Sequence, residues 1–223
     1  MTQTDIVLFG AGDMAAVVAV YIRAEAPHLN IVGYTLDDAY CTAETHDGLP
    51  LVPWSQLEAR FPPDKVQLLG PLTYQRMNTI RRDRYLEGKA RGYDFARFLH
   101  PDCHYYGDSI GENCVILERN IIQPFARIGN NCILWSGNHI GHHVTIGDHV
   151  FISSQVGVAG STVIGDECHL AGQVAVTHGL RIGRAAALLN AALVSQDVPD
   201  EGVVVGPAPE TKPFKSSRMR RLL

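Results

Sequence analysis

Residues 110–152 read IGENCVILERNIIQPFARIGNNCILWSGNHIGHHVTIGDHVFI, and from Ile110 onward a large aliphatic residue returns at every sixth position without a slip. The series continues through Val158, Ile164, Leu170, Val176, Ile182 and Leu188 to Val194, fifteen positions in all. A period of six is neither the 3.6 of an α-helix nor the 2 of an ordinary strand, so a repeat architecture is required. The residue four places after each aliphatic is small or of medium size, from Cys114 and Asn120 to Val198. One large and one smaller inward residue per hexad describe a short flat strand followed by a tight corner. Three hexads close a triangular coil, and successive coils stack at about 4.8 Å, the interstrand spacing. Gly111, Gly129, Gly141, Gly147, Gly165 and Gly183 follow the aliphatic directly, where the chain needs close approach or unusual backbone angles.

Composition narrows the field. A net charge of −4 over 223 residues argues against a general nucleic-acid binder. Basic residues do gather between Tyr74 and Gly92, where Arg76, Arg81, Arg82, Arg84, Lys89 and Arg91 outnumber Asp83 and Glu87, and this reads as a solvated helix face. Lys215, Arg218, Arg220 and Arg221 near the end read as a frayed or partner-packing tail. The opening MTQTDIVLFG lacks an export leader and no run approaches eighteen apolar residues, so a soluble cytoplasmic protein with no membrane partner is expected. Five cysteines without CxxC spacing make neither a disulfide framework nor a zinc site. Cys114, Cys132 and Cys168 share a register and are expected to stack in one inward column as small apolar side chains.

Upstream of the hexads the pattern changes to strand and helix in alternation. Residues 6–10, 31–37 and 66–70 read as strands, residues 14–26, 54–61 and 74–90 as helices, and the stretch with Pro50 and Pro53 as a loop. This alternation predicts a small parallel α/β sheet, a Rossmann-like module over residues 1–95. Residues 96–109, rich in aromatics, are expected to be a connector, residues 110–199 the coil domain, and residues 200–223 a C-terminal tail. Gly10, Gly12 and Ala15 set a G-x-G-x-x-A turn from strand into helix, where backbone amides and a helix N-terminus suit a phosphate. Asp37 and Asp38 end the next strand, where a sugar or base hydroxyl can be held.

The aliphatic-Gly-x-x-small-x pattern resembles the hexapeptide-repeat acyltransferases, whose fold is a left-handed parallel β-helix. With the small α/β module in front, the chain is similar to the sugar O- and N-acyltransferases grouped with sialic acid O-acetyltransferase. That resemblance implies a homotrimer, whose subunit faces would use outward apolar residues such as Trp135 and Phe151, that takes acetyl-CoA as co-substrate and a sugar, often nucleotide-linked, as acceptor. It assigns Gly10, Gly12, Asp37, Asp38 and Gly70 to the nucleotide. Relatives read GAGGHG where this chain has GAGDMA, and the carboxylate of Asp13 beside a diphosphate is unfavourable unless it faces away or binds the sugar.

The resemblance places the catalytic base at His142, within IGHHVTIG. Acyl transfer from a thioester requires that a proton leave the attacking amine or hydroxyl, and a neutral imidazole accepts it. Family position assigns the oxyanion-stabilising amide to Gly160, which also contacts the cofactor. Relatives carry an acidic residue where His143 stands and often Asn where Trp135 stands, and both positions are candidate substrate contacts. Asp148 or Glu118 of a neighbouring chain, or a water, is then the expected orienting partner. His139, His149 and His169 read as surface histidines without chemistry. Gly172, Gly206 and Ala208 are candidate pantetheine contacts, the last two in a GPAPE turn in which Glu210 replaces a basic residue. Two other classes share the scaffold: a catalytically silent assembly or regulatory trimer, and a metal-dependent hydratase. For the latter, His142 and His178 have part of the spacing, but the third histidine expected near Gly183 is missing.

Overall fold

A computed structural model describes residues 3–208. The small domain opens with β1 (Thr4–Phe9), α1 (Asp13–Glu25) and β2 (Leu29–Leu36), and continues with β3 (Thr45–His46), β4 (Leu49–Pro53), α2 (Leu57–Arg60), β5 (Gln67–Leu69) and α3 (Thr79–Ala90). Its five strands lie in the order β3-β4-β2-β1-β5, parallel except for the β3–β4 pair, which gives the expected Rossmann-like sheet. Two differences have simple causes. The stretch with Pro50 and Pro53, expected to be a loop, is β4; it is flanked on one side by a two-residue strand alone, so few ladder donors are needed there. The third helix begins at Thr79 and not near Tyr74, because Arg76, Met77 and Asn78 adopt positive φ and turn the chain first.

Each hexad contributes a two-residue strand ending on its aliphatic, and three faces result. The first face holds seven strands from Phe98–Leu99 through Phe151–Ile152 to Val203–Val204, the second six from His104–Tyr105 through His139–Ile140 to Leu193–Val194, and the third five from Ser109–Ile110 to Arg181–Ile182. All pairs are parallel and most are offset by one coil of eighteen residues, as in Ile121↔His139 and Ile133↔Phe151. This is the left-handed parallel β-helix. Its core is the inward column of aliphatics and the smaller residues between them; Cys114, Cys132 and Cys168 are fully buried in it as free thiols, and burial raises the pKa of Cys168 to about 11.

Residues 96–109, expected to be a connector, carry the first coil. The strands Phe98–Leu99 and His104–Tyr105 pair with Val115–Ile116 and Ile121–Ile122 at an offset of seventeen residues, one short of the repeat, which breaks the six-residue count. The glycines after the aliphatics serve close approach alone. A Cβ on Gly111 would lie 2.6 Å from the carbonyl oxygen of Gly129, and one on Gly141 would lie 2.6 Å from the amide nitrogen of Gly160. The left-handed angles fall two residues later, at Asn113, Arg119, Phe125, Asn131, His143, His149 and their counterparts.

The small domain covers the first face. Val115, Ile133 and Phe151, which point outward there, are buried in one cluster with Ile6, Val18, Ile22 and Phe98, and Trp135 packs on its edge. Helix α3 docks on the corner between third and first faces, so its basic residues are not the solvated face expected from sequence. Arg82 bonds Glu167, Lys89 bonds Glu112, and Arg81 is 1% exposed. Among the described residues Arg81 meets no carboxylate; it donates to the carbonyls of Leu72, Thr73, Asn131, His149 and Val150 and to Oδ1 of Asn78. Desolvation lowers its pKa to about 10.

Candidate active site at the exposed corner

The corner between second and third faces lies opposite the face that the small domain covers. Successive coils place Gln123-Pro124-Phe125, Gly141-His142-His143, Ala159-Gly160-Ser161 and Thr177-His178-Gly179 there in register. His142 and His143 are exposed. The backbone fixes the register: the Ser161 amide donates to the His142 carbonyl at 2.8 Å, and the Gly179 amide donates to the Gly160 carbonyl at 3.0 Å. The His142 amide donates to Oε1 of Gln123 at 2.9 Å.

His142 lies flat over Gly160. A Cβ there would sit 2.6 Å from Cε1, 2.7 Å from Nε2 and 3.0 Å from Nδ1 of the imidazole. The vacant side-chain position also leaves the rings of His142 and His178 facing across one coil, 6.1 Å apart. In other columns the equivalent amide is capped by an Asn or Asp of the next coil, as Asn130 N by Asp148 and Gly172 N by Asn190. Among the described residues no acceptor meets the Gly160 N–H. The corner therefore sets an exposed imidazole beside an uncommitted backbone donor.

The family described as bacterial transferase hexapeptide (six repeats) matches residues 109–142 and 125–160. Residues 109–160 carry the hexapeptide repeats of that family model. No curated protein matches the chain in sequence. In structure it is similar to the acetyltransferase domain of PglB from Neisseria gonorrhoeae FA1090, at 20% identity and a TM-score of 0.78 over 90% of this chain and 96% of that one. It is similar to WeeI from Acinetobacter baumannii AYE at 19% identity and a TM-score of 0.79, over 92% and 97%. It is also similar to PerB from Caulobacter crescentus, at 19% identity and a TM-score of 0.76, over 91% and 97%. At this identity the likeness establishes the two-part fold.

Within one copy of the chain the remaining candidates do not meet His142. Gly172 follows a first-face strand and donates its N–H to Asn190, and Gly206 packs against the backbone of Asn190 and Ala191, both at the corner between first and second faces. Ala208 is exposed just beyond, and Glu210 and the basic residues from Lys215 lie outside the described residues. Trp135, read as a substrate contact and, with Phe151, as part of a subunit face, is half-buried against the small domain, and Phe151 is 3% exposed beneath Tyr74 and Arg81.

The expected orienting carboxylates are engaged elsewhere. Asp148 accepts from Asn130, and Glu118 lies beside Tyr21 and Ser136, whose influence outweighs burial and holds its carboxyl below the usual range. His149 and His169 are not surface histidines: both are more than half-buried against the small domain, and burial lowers both pKa values. His139 is exposed, as expected. Among the described residues of one copy no group of three His, Cys, Asp or Glu could hold a metal ion. No helix among them is long and apolar enough to cross a membrane.

In the small domain the nucleotide candidates are largely satisfied internally. Arg84 bonds Asp37 at 2.6 Å, Asp38 accepts from the Ser55 amide and hydroxyl, and the Gly70 amide donates to Asn113 Oδ1 at 2.7 Å. Gly10 takes φ of 126° and donates to the Thr35 carbonyl. Gly12 caps α1 with open space around it, and Asp13 is exposed in the first turn. Sequence reasoning missed Gln123 and Phe125; their offset of eighteen residues from Gly141 and His143 was the available signal.

Proposed function

We propose that the chain is an acyl-CoA-dependent acyltransferase that moves an acetyl group from acetyl-CoA to an amino or hydroxyl group of a sugar, in the manner of the sialic acid O-acetyltransferase group. The observation that carries the reading is the exposed imidazole of His142 laid over Gly160 with its free amide. His142 takes the proton from the acceptor nitrogen or oxygen as that atom attacks the thioester carbonyl. The Gly160 N–H donates to the carbonyl oxygen as negative charge builds on it. On collapse the carbon–sulfur bond breaks, and His142 returns the proton to the departing thiolate. Relatives with the same fold point the same way: the PglB domain has been solved in complex with acetyl coenzyme A, and PerB with CoA and GDP-perosamine.

The topology supports a site shared between copies. The small domain sits on the first face and His142 at the opposite corner, so an acceptor held near Gly10 and Gly12 reaches the base of a second copy and not its own. We assign a homotrimer, whose subunit contact falls on the uncovered second and third faces, where Ile121, Phe125, Val163 and Leu193 are exposed.

The test is thiol release from acetyl-CoA over a panel of free amino sugars and UDP-, GDP- and dTDP-linked sugars. His142→Ala is expected to lower turnover on the order of 10³-fold, the scale of a general base. Undiminished turnover in that variant removes His142 from the chemistry.

A further inference from the structure

His142 has a second neighbour besides Gly160. Its Nδ1 lies 3.1 Å from Nδ1 of His143, with the ring planes at 85°. His143 is fixed independently. It takes the left-handed corner conformation at φ 59°, its amide donates to the Pro124 carbonyl, and its ring lies on Phe125 of the preceding coil at 4.5 Å and 35°. Two imidazole nitrogens at that distance share one hydrogen, so one ring donates and the other accepts. Among the described residues no carboxylate bonds either ring; the groups around the pair are Gln123, Phe125, Gly160, Ser161 and His178.

We propose that His143 is the positioning residue of the reaction, accepting Nδ1–H of His142 so that Nε2 of His142 carries the lone pair that takes the acceptor's proton. The inference rests on the base role given to His142 above. With His143 as the acceptor, its own hydrogen sits on Nε2. In the opposite arrangement His142 would hold its hydrogen on Nε2 and could not act as a base there. When His142 gains a proton its charge is met by the dipole of a neutral imidazole and not by an anion, and a second proton would set two cations 3.1 Å apart.

Two measurements test this. Long-range proton–nitrogen correlation on the full-length protein above pH 8 reads the tautomers without substrate: hydrogen on Nδ1 of His142 and on Nε2 of His143 is expected, and the reverse pattern overturns the proposal. In kinetics, His143→Phe is expected to lower kcat on the order of 10²-fold, the cost of a misplaced catalytic group, with KM little changed. His143→Glu should restore most of kcat and move the acid limb of kcat/KM upward, because a neighbouring anion favours the charged imidazole. A His143→Phe enzyme with wild-type kcat and pH profile, in a protein that His142→Ala silences, sinks this inference alone. Full activity of His142→Ala sinks the base assignment on which it stands.

Discussion

The imidazole of His142 occupies the space that a side chain at Gly160 would need, with Cε1 2.6 Å from the position of an added Cβ. Gly160 does not have a positive φ, so the backbone accepts alanine, and the atoms in the way belong to the end of an exposed side chain. Gly160→Ala should therefore leave the melting temperature within a few degrees of wild type. It should cost on the order of 10²-fold in kcat/KM by displacing the ring. Comparing calorimetry with thiol release checks both halves; a large drop in stability would show that the glycine serves folding.

Arg81 holds the small domain to the β-helix without an anion. Arg81→Met leaves several buried carbonyls without a donor, and about 3 kcal/mol of stability should be lost. Arg81→Lys should recover little, because a single ammonium cannot span carbonyls contributed by three segments of chain. Urea unfolding of both variants, with limited proteolysis between residues 90 and 98 as a probe of undocking, measures the effect.

Stability should fall on mild acidification. Burial lowers the pKa of His149 and His169 below the ordinary 6.5, so beneath that value the unfolded chain binds more protons than the folded one. Their contribution is complete above about pH 6.5 and is lost as pH falls through the folded values. A falling melting temperature from pH 7 to pH 5 is expected, with a shallower slope in His149→Asn. An unchanged slope in that variant would exclude His149 as a source.

Asp13 stands in the first turn of α1, where the helix dipole would otherwise favour a phosphate. Asp13→Gly should tighten the binding of UDP or GDP at least tenfold, and titration calorimetry reads this directly. Equal affinities would mean that the carboxylate turns away from the ligand.

Most of the β-helix was legible because a period of six leaves one residue class on each inward column, and Ile110 to Val194 keep the count. The first coil was not, because its strands pair at seventeen residues and Tyr105 fills a place that the frame gives to His104. His142 and Gly160 were tied by their spacing of eighteen, which the structure turns into a stacked contact. The outward residues were harder to read. Trp135, Phe151, His149 and His169 looked like surface because the hexads say only which way a side chain points, not that another domain lies over it. The basic run of α3 looked solvated for the same reason: the β-helix partners of Arg81 lie 50 to 69 residues away along the chain.

The distant contacts of α3 impose an order on biosynthesis. Arg81 leaves the ribosome 50 residues before Asn131 and 68 before His149, and Asn78 waits 90 residues for the carbonyl of Cys168. The nascent amino-terminal module must hold a bare guanidinium and an apolar flank in water until four coils have emerged. That interval exposes the polypeptide to mispairing, and it is the stage of its life at which a chaperone has most to shield.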